Sequence, residues 1–340
     1  MRIILMAAGA GERLWPMSTQ DKPKQFLPLF PHPKDPSKTV SMLQRVYTLL
    51  KSMGIGNLVS VVTTEDLSHW VTAQLGEVPQ HILPYRKDTF GSVAFGALDA
   101  ARRFHLESHE ALLFLPVDHW TDEGFYAKAT GLQRILKQEK HAIALLGIQP
   151  ITPSTSYGYF ESEKVGYQEL LRVHRFREKP GEKEAKTLYH RALWNAGVFA
   201  FTVDTAGIII PFYEVLRHIR VNDYGIEKWY ESLSELPFDR EVLEKHSSIF
   251  ALKYDGVWED VGTWDRAMKY SPTQVLGEGS VYECENVNIV NALRQPVIVA
   301  GLEDVAVVAT EQGIIITKKS LAARVKEFRG RLPSVGVVMP

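Results

Sequence analysis

Two textures of apolar residues alternate along the first half of the chain. Residues 2–7 (RIILMA) are apolar almost without a break and run into a glycine-rich turn. Such a run predicts a strand buried on both faces of a parallel sheet. Residues 41–53 instead place Met42, Leu43, Val46, Leu49, Leu50 and Met53 at helical spacing, with Ser41 able to cap the helix and Gly54 able to stop it. The textures then take turns, with strands at 58–62, 111–115 and 142–148 and helices at 64–75, 91–104 and 125–136. This alternation predicts an α/β domain with a mostly parallel sheet, right-handed crossovers and helices on both faces.

From Tyr157 the alternation loosens. Strand-like pieces at 157–161, 169–176 and 198–201 mix with short helices and read as an extension of the same core carrying substrate contacts. After Ser271 the texture changes again, to short β-rich runs at 280–284, 287–290, 297–299, 305–309 and 314–317, separated by turn residues. They predict a small all-β appendage of coiled or helical β-arrangement, closed by a helix at 321–328; their spacing is too irregular for a sequence repeat. Exposed strand edges need covering, and a second copy of the chain could cover them, so a homodimer through this region is expected. The expected division is residues 1–270 as one large domain and 271–340 as a small β-rich one.

Composition then narrows the function classes. The chain has 340 residues, 45% hydrophobic and 23% charged, ordinary values for a globular protein with a real core. A net charge of -1 gives no global field toward DNA or acidic membranes, so neither is an expected partner. Local groups must therefore hold any anionic ligand. The lone cysteine, Cys284, excludes an intramolecular disulfide and fits a reducing cytoplasm. The apolar stretch 3–8 is too short for the core of a secretory leader or a membrane span.

The first loop carries the densest chemistry. It reads Met6-Ala-Ala-Gly-Ala-Gly-Glu-Arg-Leu-Trp-Pro, followed by Lys22-Pro-Lys-Gln-Phe-Leu. Gly9 and Gly11 let backbone N–H groups approach a polyphosphate, and Arg13 and Lys24 can grip the same anion, one as a fork and one as a point charge. A glycine-rich turn alone is also an ordinary strand-to-helix turn. No G-K-[ST] follows, so it is not a P-loop, and Leu14 stands where the dinucleotide fingerprint needs a third small residue. Asp118, in Leu115-Pro-Val-Asp-His, lies just beyond the strand at 111–115, where a carboxylate faces the ligand crevice of a parallel sheet; from spacing alone a turn or cap role is the plainer reading. Asp260 lies far along the chain in Trp258-Glu-Asp-Val-Gly-Thr-Trp, and two such carboxylates can converge on one hard cation.

Taken together, these segments resemble the nucleotidyltransferases that make activated sugars. The similarity is closest to the mannose-1-phosphate guanylyltransferases, whose opening runs A-G-G-x-G-x-R-[LF]-W-P-[LM]-S and then P-K-Q-F-L. Ala8 stands here in place of the first of those glycines. The resemblance implies a Rossmann-like α/β nucleotidyltransferase domain with a mostly parallel mixed sheet and a small C-terminal β-rich domain. It implies transfer of GMP from GTP to mannose 1-phosphate, giving GDP-mannose and pyrophosphate. Arg13 and Lys24 would then be catalytic, and Ala8, Gly9, Ala10, Gly11, Glu12, Thr89 and Asp118 would bind the nucleotide. L-P-[AS]-D-H and W-x-D-[VI]-G-[ST]-W in the family supply its Mg²⁺ ligands, so Asp118 and Asp260 are the expected metal residues.

On the sugar side the resemblance rests on Phe176-Arg-Glu-Lys-Pro, Trp194-Asn-Ala-Gly-Val-Phe, Tyr157-Gly-Tyr and Pro237-Phe-Asp-Arg-Glu-Val-Leu-Glu. It implies that Gly158, Glu178, Lys179, Asn195, Gly197 and Asp239 bind the sugar phosphate. Two segments depart from the family pattern. Leu83-Pro-Tyr-Arg-Lys-Asp-Thr-Phe-Gly keeps Thr89 but differs at Leu83, Asp88 and Phe90, and Arg240 replaces an aromatic residue. Relatives with a glucose 1-phosphate substrate or a different base share the fold and chemistry, and a binding-only relative would be expected to have lost Lys24, Asp118 or Asp260. All three are present.

Overall fold

The computed structural model describes residues 1–166, 169–218 and 223–331. Its chain divides into two compact units that interleave along the sequence. The first comprises Met1–Ala8, Leu49–Val117 and Thr121–Trp258, and the second Gly9–Thr48, Asp118–Trp120 and Glu259–Pro340. The single boundary expected at residue 270 is replaced by this interleaving. Texture marks where the β-rich tail begins, but packing recruits the first loop into the same unit.

Among the described residues of the first unit, nine strands form one sheet. They are β1 (Arg2–Met6), β2 (Val59–Thr64), β3 (Gln80–Leu83), β4 (Ala111–Pro116), β5 (Ile143–Ile148), β6 (Tyr159–Lys164), β7 (Leu170–Arg177), β8 (Leu193–Thr202) and β9 (Ile249–Tyr254), in the order β3-β2-β1-β4-β8-β5-β9-β7-β6. The strands of the alternating first half pair in parallel, β3 with β2, β2 with β1 and β1 with β4. The sheet becomes mixed where the alternation loosens. There β8 runs antiparallel to both β4 and β5, and β7 antiparallel to β9 and β6, while β5 and β9 are parallel.

The apolar runs behave as their patterns require. Ile3, Ile4 and Leu5, and every residue of β5, are buried. The helix Thr89–Arg103 starts with Asp88 accepting from the Thr89 N–H and ends on Arg102 and Arg103, a favourable placement for cations at the negative helix end. Its Phe90, Val93, Ala94, Ala97, Leu98 and Ala101 recur at helical spacing and join one core with Phe114, Phe199, Phe201 and Phe238. Burying one such phenylalanine contributes about 2–3 kcal/mol. The helix expected at 125–136 is two helices, Glu123–Gly131 and Gln133–Gln138, because Gly131 weakens the helical run at its middle. Periodicity does not mark strand β9.

The second unit has its own core, in which Leu14, Leu27 and Phe30 of the first loop region pack with Trp264, Val290, Val308 and Val325. The Trp264 indole N–H donates to the Trp15 carbonyl at 2.8 Å. Toward the C-terminus the chain alternates between two parallel sheets. Val275–Leu276, Asn288–Asn291 and Val305–Thr310 belong to one, Gly279–Tyr282 and Val297–Ala300 to the other. This winding is the coiled β-arrangement expected. Gly313–Lys318 closes it as an antiparallel edge strand. The helix expected at 321–328 is a 3-10 turn, Lys319–Arg324, leading into an α-helix, Val325–Gly330. Among the described residues no helix is long and apolar enough to cross a membrane.

Candidate active site

The candidate residues fall into two groups, one in each unit. In the second unit the glycine loop is held from below by side chains that follow it in sequence. Gln25, almost fully buried, donates to the Gly9 carbonyl at 2.9 Å, and the Ser18 hydroxyl donates to the Gly11 carbonyl. Gly11 has φ +57°, and a Cβ there would lie 2.6 Å from Lys24 Cγ, so both its conformation and the closeness of Lys24 require glycine. Gly9 is different, since a Cβ on it would meet nothing within 4 Å. Ala10 is half-buried and Ala8 packs on the core of the first unit. The Glu12 side chain lies outside the described residues.

Lys24 and Asp118, ninety-four residues apart, meet at 2.6 Å between Nζ and Oδ2. Burial pushes the Asp118 carboxyl up, but the Lys24 charge and hydrogen bond, with His119 and Arg13, outweigh it and hold the group well below the usual carboxylate range. Asp260 is buried. Its Oδ1 accepts the Gly262 N–H at 2.8 Å, and its Oδ2 lies 3.8 Å from Arg13 and 4.0 Å from Arg266. The Val261 N–H donates to the Asp118 carbonyl at 3.2 Å, so the two acidic segments run side by side. A Cβ placed on Gly262 would lie 2.8 Å from Asp260 Oδ1, 3.2 Å from Lys24 Nζ and 3.3 Å from Arg13 Nη2. Gly262 is therefore the point on which the charged groups converge, and sequence reasoning passed over it. Its only signal was its place inside the Trp258–Trp264 motif.

The donor set suits a hard cation. Among the described residues no cluster of three or more His, Cys, Asp or Glu side chains gathers, which disfavours an all-protein cage. Mg²⁺ needs no such cage, because it binds through one or two carboxylates and completes its shell with water and phosphate oxygens. Asp118 and Asp260 supply that number.

In the first unit the residues expected on the sugar side gather around two carboxyls. Strand β8 carries Trp194 and Asn195, and its register with β5 shifts between Asn195 and Phe199, an irregularity of the kind that re-aims a side chain. Both ends of the Asn195 amide are engaged. Nδ2 donates to Asp239 Oδ1 at 2.7 Å, and Oδ1 accepts the Gly197 N–H at 3.2 Å. Glu178 is buried, its Oε1 3.0 Å from Lys179 Nζ. Lys179 has φ +43°, the left-handed region that favours glycine, so its backbone is held in a strained state at this corner. Gly158 lies against Glu178, since a Cβ on it would sit 2.7 Å from Oε2. Burial and the neighbouring Glu178 charge push the Asp239 carboxyl up to about 7, against the Asn195 hydrogen bond that favours its charged form. Glu244 supports the group by accepting the Glu178 N–H at 3.0 Å. Thr89 lies at the start of its helix, and its hydroxyl oxygen accepts the Phe238 N–H at 2.8 Å.

Known proteins resemble this chain over almost its full length. It is 28% identical to the xanthan biosynthesis protein XanB of Xanthomonas campestris pv. campestris, over 98% of this chain and 73% of that protein. It is 29% identical to mannose-1-phosphate guanylyltransferase 2 of Escherichia coli O157:H7, over 96% of this chain and 72% of that one. Among solved structures, one from Thermus thermophilus described as mannose-1-phosphate geranyltransferase superposes with a TM-score of 0.78 at 26% identity, covering 97% of this chain and 98% of its own. The family model described as nucleotidyl transferase matches residues 2–274, and this chain, with its glycine loop, paired cations and acidic residues in place, belongs to that family.

Proposed function

We propose that the protein transfers GMP from GTP to mannose 1-phosphate, releasing pyrophosphate and forming GDP-mannose, with Mg²⁺ as cofactor. The observation that carries this reading is the convergence of Lys24, Arg13 and Asp260 on Gly262, with Asp118 bonded to Lys24 and Lys24 packed against Gly11 of the glycine loop. The relatives named for mannose-1-phosphate guanylyltransferase activity support the choice of substrates.

The sugar phosphate is already an anion, so no general base is required. One of its oxygens forms a bond to the α-phosphorus of GTP in line with the departing group. The bond from that phosphorus to the bridging oxygen breaks, and the electron pair leaves with pyrophosphate. Catalysis is then positioning plus charge stabilisation. The backbone N–H groups around Gly9–Gly11, with Arg13 and Lys24, hold the triphosphate and the leaving pyrophosphate. Lys24 retains two further N–H donors beyond its bond to Asp118. Asp118 and Asp260 would hold Mg²⁺, which supplies charge neutralisation on the reacting phosphate oxygens. In the first unit Lys179 would hold the phosphate of the sugar, and Glu178, Asp239 and the Gly158 and Gly197 backbone would face its hydroxyls. A cytoplasmic location fits the single thiol. Exposed Ile314 and Ile316 on the edge strand Gly313–Lys318 support self-association there, which sedimentation of wild type against Ile316→Lys would test.

The test of function is pyrophosphate release with each of ATP, GTP, CTP, UTP and dTTP, crossed with mannose 1-phosphate and glucose 1-phosphate, with and without Mg²⁺. Release confined to GTP, mannose 1-phosphate and metal is the expected result. Release with a different pair would retain the mechanism and replace the substrates. Folded protein that releases nothing with any pair would refute the assignment.

A further inference from the structure

One of the two segments that differ from the expected family pattern, residues 83–90, is laced to the residues that precede Asp239. The Tyr230 hydroxyl donates to the Tyr85 carbonyl at 3.1 Å. Lys87 Nζ donates to the carbonyls of Glu231 at 2.9 Å and Leu233 at 2.5 Å. The Phe90 N–H donates to the Leu236 carbonyl at 3.3 Å. The last tie is the closest to the sugar-side group: the Phe238 N–H donates to Thr89 Oγ1 at 2.8 Å, one residue before Asp239. Phe238 is fully buried and packs against Phe199 and Phe201, so its amide has no water to turn to if the hydroxyl is removed.

From Asp239 the line continues in two directions. Its carboxyl takes the Asn195 amide, and its carbonyl takes the Glu244 N–H at 2.9 Å, while the Glu244 carboxylate takes the Glu178 N–H. We infer that Thr89 is a positioning residue for the sugar phosphate, its hydroxyl fixing the backbone from which Asp239 reaches Asn195. Its role is thus on the acceptor side of the reaction, not in gripping the nucleotide. The inference rests on the proposed assignment of Glu178, Asn195 and Asp239 to the sugar.

The test compares Thr89→Val, which keeps the shape and loses the acceptor, with Thr89→Ser, which keeps the acceptor. Two readouts are taken on each. Hydrogen exchange at the Phe238 amide needs no substrate; it should quicken by at least tenfold in Thr89→Val and stay near wild type in Thr89→Ser, and unchanged protection in the valine variant overturns the inference. In steady state, Thr89→Val should raise the KM for mannose 1-phosphate roughly tenfold, the size of one lost hydrogen bond to a buried group, with the KM for GTP within about twofold and serine restoring both. A rise confined to the KM for GTP makes Thr89 a nucleotide contact and refutes the positioning role. If wild type turns over no hexose 1-phosphate, the functional assignment fails, while the exchange result still decides whether Thr89 holds this segment.

Discussion

The two units set their partly and fully buried carboxylates in opposite surroundings. In the second, Asp118 and Asp260 each sit against cations, and the Asp118 carboxyl is held far below its usual range. In the first, Asp239 and Glu178 crowd each other, and Asp239 is pushed up to about 7. Paired opposite charges suit a site for a metal and a polyphosphate, where fixed positive and negative groups must both persist at neutral pH. A carboxyl that shares its surroundings with another can remain protonated and act as a donor, which suits sugar hydroxyls. The contrast teaches that similar acidic residues have been given unlike proton affinities by their neighbours.

The contrast can be broken at several points. Removing the cation should do most: Lys24→Ala is expected to lower kcat by about 10²–10³-fold in protein that remains folded, as loss of one preorganised donor to developing charge does elsewhere. It should also lower the thermal transition, because Asp118 loses its partner. Stopped-flow pyrophosphate release would show the loss of turnover, and near-normal turnover would mean Lys24 serves Asp118 alone. Next comes Gly262→Ala, whose methyl intrudes within 2.8–3.3 Å of Asp260, Lys24 and Arg13. Displacing these groups by part of an ångström should cost up to about 10²-fold in kcat/KM. In the first unit, Asn195→Ala removes the side-chain amide that donates to Asp239 and should raise the KM for the sugar phosphate about tenfold while sparing that for GTP, as steady-state titration of each substrate would show.

The smallest effect is on stability. The Asp239 carboxyl binds its proton more tightly when folded than when unfolded, so the folded state gains relative stability at low pH. That gain is lost as pH rises from about 4 to about 7, and no further change comes from this group above that. Asp239→Asn should therefore flatten the wild-type slope across this window, the curves differing by about 1–2 kcal/mol at its ends once partial exposure is discounted. Urea unfolding at several pH values across the window measures it, and parallel curves would show that Asp239 titrates normally.

How much of this was legible in the chain itself depended on whether a residue acts by chemistry or by space. Runs such as 2–7 and 142–148 announced buried strands because both faces of a parallel sheet must be apolar. Strand β9, IFALKY, follows His246-Ser-Ser and shows neither clean alternation nor a long apolar run, so its place beside β5 is set by tertiary pairing. Lys24, Asp118, Asp260 and Asn195 could be named from motifs, yet no spacing told that Lys24 bonds Asp118 or that Asn195 spends its amide on Asp239 and Gly197. Gly262 was invisible for a plainer reason. Its contribution is an absent methyl, and what that methyl would strike arrives from residues 13, 24 and 260.

The interleaving of the two units also orders events during synthesis. The second unit needs its first segment, Gly9–Thr48, and its last, Glu259–Pro340, before its core can close. At roughly 5–20 residues per second, about 10–40 s separate the emergence of the one from the other. Through that interval Leu14, Leu27 and Phe30 have no Trp264, Val290 or Val308 to pack against, and the early loop is exposed to chaperones and proteases. The large sheet is complete once Ile249–Tyr254 has been made, whereas Lys24, translated among the first residues, must wait for Asp260 and Gly262 before the charged group around it can assemble.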